Sequence, residues 1–307
     1  MPVFSPVSVR VPATSANLGP GFDSLGLSLA LYNHLSLRVS DQDSLSTQGE
    51  GAAQLSGQSH TLAHTAAHRV FAALEIEVEG VELSLHNRIP FSRGLGSSSA
   101  AIVGGLVAAN EWARKHHNLA LGSSQLLDLA SEIEGHPDNV APALMGGLVV
   151  AATGENGAIS ALKVPVAAFP RFAVWIPDAE LATKVARGVL PDTYSRADAI
   201  WNLSRAALLV AALSSGDFSA LSEALRDKIH QDYRAPLVPG FETISRAALE
   251  AGAFGVTLSG AGPSILVWMP ENRAPIVEAM ERAVQSEKIA GRVGEFEVDL
   301  SGCCVVG

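Results

Sequence analysis

Apolar and polar residues alternate at Val7, Val9 and Val11, then at Leu27, Leu29 and Leu31, and again at Leu35, Leu37 and Val39. A period of two turns one face of an extended chain towards a core, so these runs predict half-buried antiparallel strands. Val81, Leu83 and Leu85 predict another. Helical patterning covers residues 62–74, 97–112 and 125–134, with a short helix near 138–145. Runs at 147–152 and 159–164 flank Gly154-Glu155-Asn156-Gly157, which predicts a hairpin. After Pro165 the pattern restarts. Strands are expected at 172–176, 255–258, 265–268 and 294–300, and helices at 198–213, 218–225, 241–251 and 273–285. Regular βαβ alternation is missing, so the order predicts an α+β fold. The stretch from Pro165 to Pro170 marks the expected boundary between domains 1–165 and 166–307.

Composition narrows the class. A chain of 307 residues suggests two domains. With 48% hydrophobic and 17% charged residues, and a mean hydropathy of +0.24, it is far from the compositions that stay disordered. The net charge of −10, without a Lys/Arg-rich run, argues against nucleic acid as a partner. Cys303 and Cys304 are adjacent, too close for an ordinary disulfide, which predicts a reducing compartment. Residues 1–6 lack the basic and apolar regions of a signal peptide, and the apolar stretches at 100–109 and 140–152 are shorter than the ~20 residues of a membrane span. The expectation is a cytoplasmic protein with no membrane partner.

The most informative segment is Ile89-Pro90-Phe91-Ser92-Arg93-Gly94-Leu95-Gly96-Ser97-Ser98-Ser99-Ala100. A Gly-rich turn with three hydroxyls opens into a small-residue helix, where backbone N–H groups and the helix N-terminus can receive an anion. It ends without Gly-Lys-Ser/Thr, so it is not a Walker A loop, and its glycine spacing is not the dinucleotide fingerprint. It also lacks the Gly-x-Ser-x-Gly nucleophile elbow. Two further turns lie between strands: Pro12-Ala13-Thr14-Ser15-Ala16-Asn17-Leu18-Gly19-Pro20-Gly21-Phe22-Asp23, and Leu258-Ser259-Gly260-Ala261-Gly262-Pro263-Ser264.

In this order the three segments resemble the signature motifs of the GHMP small-molecule kinases. Within that superfamily the first, continued by Ser24-Leu25-Gly26-Leu27, is most similar to the homoserine kinase family. Glu134-Gly135-His136-Pro137-Asp138-Asn139-Val140-Ala141-Pro142, residues 183–191 and His230-Gln231-Asp232-Tyr233-Arg234 resemble it too. The resemblance implies an N-terminal domain like ribosomal protein S5 domain 2 joined to a ferredoxin-like domain. It implies ATP-dependent phosphorylation of the L-homoserine hydroxyl to O-phospho-L-homoserine, on the path to threonine, and leaves room for a homodimer.

The resemblance also carries roles. Pro90, Arg93, Gly94, Leu95, Gly96, Ser97, Ser98 and Ser99 form the expected ATP loop. Ser98 and Glu134 are the expected Mg²⁺ ligands, since one hydroxyl and one carboxylate suffice for an ion that keeps its waters. Arg187 and Arg234 suit a substrate carboxylate, Asp23 suits an ammonium, and Asn17 and Thr183 complete the substrate set. Asn139 belongs near the reacting hydroxyl. The base stays open between Asp138 and the γ-phosphate itself.

Some residues fit less well. His60, His64 and His68 share a helix face, but no Asp or Glu falls among them in sequence, so they read as a solvated or partly packed face. His116-His117 reads as a helix-end pair. Homoserine kinases usually carry Asn where this chain has His60-Thr61-Leu62, which leaves the adenine and ribose contacts open. Another small-alcohol kinase (for mevalonate or a sugar), a catalytically silent ATP-dependent sensor and an S5-like RNA-binding module are the competing readings. The arginine pair and Asp23 disfavour the first, intact Ser98, Glu134 and Asn139 the second, and the net charge the third.

Overall fold

In the computed structural model, which describes residues 5–306, the strands form two sheets. The leader reading rests partly on residues 1–4, outside that range. The first half runs β1 (Val7–Ala16), β2 (Leu25–Ser40), β3 (Ser44–Gly49), α1 (Leu62–Ala73), β4 (Gly80–Asn87), α2 (Ser97–His117), α3 (Ser123–Glu134), α4 (Pro137–Met145), β5 (Leu148–Thr153) and β6 (Ile159–Lys163). The second runs β7 (Arg171–Pro177), α5 (Thr183–Gly188), α6 (Arg196–Ser215), α7 (Leu221–Ala224), α8 (Gln231–Arg234), α9 (Phe241–Glu250), β8 (Gly255–Leu258), β9 (Ile265–Met269), α10 (Ala274–Glu287), β10 (Gly291–Phe296) and β11 (Cys304–Val306). The mixed arrangement is α+β.

The larger sheet has the order β11-β1-β2-β4-β3, with β5 on the other end of β2 and β6 beside β5. The two expected runs at 27–31 and 35–39 are one strand. Asn33 takes the inward position between them, buried, and its Oδ1 accepts from the N–H groups of Arg88 and Ile89 at 2.8 and 3.0 Å. A polar residue in phase hides the continuity of β2. The register with β1 shifts between Pro12 and Ala13, so β1 bends as it delivers Thr14 and Ser15 towards the site. β3, an edge strand of Ser, Thr and Gln parallel to β4, carries too few apolar residues to announce itself.

The smaller sheet, β10-β7-β9-β8, is covered on both faces. Trp175, Ile265, Val267 and Met269 pack with α9 and α10 residues such as Ile244 and Met280. Phe172, Val174, Ile176 and Trp268 join the main core instead. A strand buried on both faces reads as a continuous apolar run, as Phe172–Ile176 does.

The C-terminal segment departs from expectation. The last strand of the smaller sheet ends at Phe296, not at 300. Val298 then bridges Leu29, Gly147 N–H donates to Asp299 O at 2.7 Å, and β11 pairs with β1. The chain therefore returns to the first sheet, and no single cut near 165 puts every residue with its own sheet. The helix expected over 218–225 is a 3-10 turn followed by the four residues of α7. Among the described residues, no helix is long and apolar enough to cross a membrane, and both cysteines are free.

Candidate active site

The Gly-rich turn between β4 and α2 is held by its carbonyls. Ser92 O accepts from Leu181 N–H, Arg93 O from Ser264 N–H, and Leu95 O from Thr14 N–H, at 3.1, 3.3 and 3.1 Å. Gly94 O accepts from the Ser259 hydroxyl at 2.6 Å. With four consecutive carbonyls turned to neighbours, the N–H groups of Gly94, Leu95 and Gly96 remain without partners among the described residues. No acidic residue lies in the first turn of α2, so its N-terminal partial charge is not neutralised from within. The result is a cradle for an anion.

Two glycines make that path possible. Gly94 and Gly96 have φ of +73° and +70°, where a side chain is strained. A Cβ at Gly96 would lie 1.9 Å from Thr14 Oγ1, and one at Gly94 would lie 2.2 Å from Ser259 O. The turn is clamped between the segments around Thr14 and Ser259. The same two segments are tied to each other: Asn17 Nδ2 donates to Gly260 O at 2.8 Å, and Gly260 N–H donates to Ala16 O at 3.1 Å. Three turns that are far apart in sequence thus form one unit.

Of the expected loop residues, Pro90, Arg93, Gly94, Leu95, Gly96, Ser97 and Ser98 line a common cleft. Leu95 contributes backbone only, since its side chain is in the core. The Arg93 guanidinium donates to the carbonyls of Phe91, Pro177 and Asp178 and to the Glu180 carboxylate, so it ties the turn to the chain after β7. Ser99 is fully buried and faces Glu134, not the cleft.

Glu134, the last residue of α3, receives the Ser98 hydroxyl on Oε2 at 2.7 Å and the Ser99 hydroxyl on Oε1 at 2.8 Å. Ser98 is exposed at the cleft wall. An anionic oxygen and a hydroxyl in contact at the mouth of an anion cradle are hard donors suited to Mg²⁺. Among the described residues no three His, Cys, Asp or Glu side chains gather to hold a metal alone.

The opposite wall of the cleft is charged. Asp23, with φ of +54° in the first turn, meets Arg187 of α5 through two hydrogen bonds of 2.7 and 3.1 Å. Asn17 Oδ1 accepts from Asp23 N–H at 3.0 Å and so fixes the start of that arm. Thr183 opens α5 at the cleft surface. Arg234, at the end of α8, is only 1% exposed, and it makes no ion pair among the described residues. Its Nε donates to Ala186 O at 3.0 Å, its Nη1 reaches His230 Nδ1 at 3.2 Å, and burial lowers its pKa. Asp23, Asp227 and Asp138 act on it only through space, and a buried cation without a direct carboxylate partner is costly unless the site is completed from outside.

Between the two walls lie Asp138 and Asn139, at the start of α4. Thr14 Oγ1 donates to Asn139 Oδ1 at 2.8 Å, and Asn139 Nδ2 donates to Asp138 Oδ1 at 3.4 Å, so one amide N–H of Asn139, at the cleft lining, keeps no protein acceptor among the described residues. Asp138 is buried, and its Oδ1 lies 2.5 Å from His136 Nδ1. Burial would push the His136 pKa down, but the hydrogen bond and charge of Asp138, with the charge of Glu134, raise it. The sequence patterns assign no role to His136 or Thr14. Both sit inside the motifs, where their partners Asp138 and Asn139 are visible only in three dimensions.

A second, apolar pocket adjoins the cleft through Ser92, Ser97 and Ser98 and is walled by Leu55, Thr61, Leu62 and Phe91. His60 turns away from it. Asp43, from the β2–β3 turn, enters between the histidines: His60 Nδ1 lies 2.8 Å and His68 Nε2 2.9 Å from its carboxylate. The local sequence places no acid among them, and the fold supplies one.

The matches to known proteins follow these elements. The model of the GHMP kinases N terminal domain matches residues 59–147, and that of the GHMP kinases C terminal domain matches 209–286. The chain is 44% identical over 301 residues to homoserine kinase of Desulfitobacterium hafniense (strain DSM 10664 / DCB-2), covering 98% of this chain and all of that one. It is 40% identical to homoserine kinase of Moorella thermoacetica (strain ATCC 39073 / JCM 9320), over 97% and 99% of the two chains. The crystal structure of homoserine kinase from Cytophaga hutchinsonii superposes with a TM-score of 0.87 at 30% identity, over 100% and 99% of the chains. With the three convergent turns and this full-length similarity, the chain belongs to the homoserine kinases of the GHMP family.

Proposed function

We propose that the protein transfers the γ-phosphoryl group of ATP to the side-chain hydroxyl of L-homoserine, giving O-phospho-L-homoserine and ADP. The observation that carries the substrate assignment is Arg234, a buried cation that forms no ion pair among the described residues. A substrate carboxylate supplies the missing anion through charge-assisted hydrogen bonds. The ammonium takes Asp23, and Arg187 exchanges part of its contact with Asp23 for the same carboxylate. A neutral sugar would leave Arg234 unpaired.

On the other wall, the N–H groups of Gly94, Leu95 and Gly96 hold the phosphates, and the pocket by Leu62 and Phe91 accepts the nucleobase. Ser98 and Glu134 hold Mg²⁺, which when bound neutralises charge on the phosphates. Thr14 orients Asn139 so that its amide donates towards the acceptor hydroxyl or the transferred group. Asp138 Oδ1 is committed to His136, a group that its charge helps keep protonated. That commitment favours transfer by positioning, with the hydroxyl proton passing to a phosphate oxygen rather than to Asp138.

The test is ADP release by the purified full chain with ATP, Mg²⁺ and single alcohols. The expected result is turnover with L-homoserine and its phosphorylated product. No homoserine-dependent ADP release, or faster turnover with mevalonate or a sugar, would overturn the assignment.

A further inference from the structure

His230 is fully buried and touches no part of the cleft surface, yet it is in contact with the residue that receives the substrate carboxylate. Its hydrogen bonds fix its tautomer. Gly19 O can only accept, so Nε2, 2.8 Å away, carries the proton. The Arg234 guanidinium can only donate, so Nδ1, 3.2 Å from Nη1, is bare. The ring is therefore neutral, in keeping with the downward pull of burial on its pKa. Asp227, the nearby acid, spends its oxygens on the N–H groups of Ile229, His230 and Gln231, which pins the backbone that carries the ring.

The other face of the arrangement is Phe22. Its ring stacks on His230 with centroids 5.3 Å apart, and it lies beneath the Arg234 guanidinium at 5.2 Å and the Arg187 guanidinium at 5.5 Å. Phe22 directly precedes Asp23. One aromatic platform thus sets the spacing of both arginines and of the acid, and His230 locks that platform to Gly19 of the first turn. We propose that His230 is a positioning residue for substrate selection, a neutral acceptor that aims Arg234 at the substrate carboxylate and couples it to the Gly19–Asp23 turn. The inference rests on the reading of Arg234 as the carboxylate receptor.

The experiment measures KM for L-homoserine and for ATP separately in the full-length wild type, His230→Leu, His230→Asn, His230→Gln, Arg234→Ala and the double variant His230→Leu/Arg234→Ala. His230→Leu is expected to raise the homoserine KM about 10- to 100-fold, the effect of losing a hydrogen bond to a charged group, and to leave the ATP KM unchanged. His230→Asn keeps an acceptor near the Nδ1 position and is expected to recover most of that loss. His230→Gln keeps a donor for Gly19 but not the acceptor, and is expected to resemble His230→Leu; this pair carries the test should His230→Leu not fold. In the absence of Arg234, His230→Leu is expected to add nothing. Equal rises in both KM values, an additive double variant or Asn no better than Gln would overturn the proposal. An unchanged homoserine KM in Arg234→Ala would instead overturn the reading on which it rests.

Discussion

The two walls of the cleft solve the problem of binding charge in opposite ways. On the phosphate wall, Arg93 is spent on carbonyls and Glu180, and backbone N–H groups face the cleft. The acceptor wall is built of side-chain charge, with Asp23 and Arg187 paired and Arg234 in no ion pair among the described residues. Backbone donors receive any phosphate chain of the right shape, so on the proposed reading that wall confers affinity for the common substrate. Fixed side-chain charges of both signs discriminate, so the same proposal assigns selection of the alcohol to the other wall. The loop has no lysine, so under the proposed function charge neutralisation falls to a cation that Glu134 and Ser98 would hold.

The largest expected effect breaks the acceptor wall. Arg234→Ala leaves the substrate carboxylate without its buried partner, at about 2–5 kcal/mol, so kcat/KM for L-homoserine should fall about 30-fold or more. Steady-state kinetics should find the ATP KM near its wild-type value. A comparable rise in both would mean that the two walls do not act separately.

The phosphate wall is broken next by Ser98→Ala and Glu134→Gln. Each removes one hard donor, and the Mg²⁺ concentration for half-maximal rate should rise about 10- to 100-fold. The homoserine KM at saturating Mg²⁺ should stay put. Wild-type Mg²⁺ dependence in both variants would remove the metal from this pair of residues.

A residue on neither wall sharpens the comparison with the smallest effect. Burial opposes ionisation of Asp43, but the N–H of Val81 and the rings of His68 and His60 overcome it and hold its pKa at about 2. The folded value lies below the ordinary 3.8, so the ionised group stabilises the fold above about pH 4, and that contribution is lost as pH falls through about 2. Solvent screening of this partly exposed group reduces its size to about 1 kcal/mol. Denaturant unfolding should show the destabilisation of Asp43→Asn in full at pH 7, reduced to about half at pH 3 and mostly gone at pH 2, with an unchanged homoserine KM.

Legibility in the sequence differed between the same two walls. The phosphate loop is contiguous, and its glycines and serines announce a tight turn before a helix. Its clamps were less visible, because Thr14 and Ser259 act through hydrogen bonds to residues far along the chain. The bond from Thr14 N–H to Leu95 O is one such clamp, and it closes only when β1 and the loop are side by side. On the acceptor wall, the resemblance named Asp23, Arg187 and Arg234, but nothing in one dimension told the paired arginine from the unpaired one. That distinction depends on where α5 and α8 dock. His136 is not legible for a similar reason, since its significance lies in its contact with Asp138.

The fold followed the same rule. Strands with one buried face, such as β1 and β4, and long helices such as α2 were legible from their periods. β11, three residues long, exists because Asp299 O accepts from Gly147 N–H and its carboxylate caps Ser301 and Gly302, all contacts with distant or irregular backbone. No pattern of three residues could have announced it.

The most direct test of the account is a comparison of alcohols that differ only in charge. Phosphorylation of L-homoserine is measured beside that of 4-hydroxybutyrate, which lacks the ammonium, and 2-amino-1,4-butanediol, which lacks the carboxylate. The account predicts that each loss lowers kcat/KM, by about 30-fold or more for the missing carboxylate, because Arg234 then stays buried and unpaired. It predicts a smaller loss for the missing ammonium, because Asp23 can keep Arg187 as its partner. Equal turnover of L-homoserine and the diol would contradict it, since the acceptor wall would then not read charge.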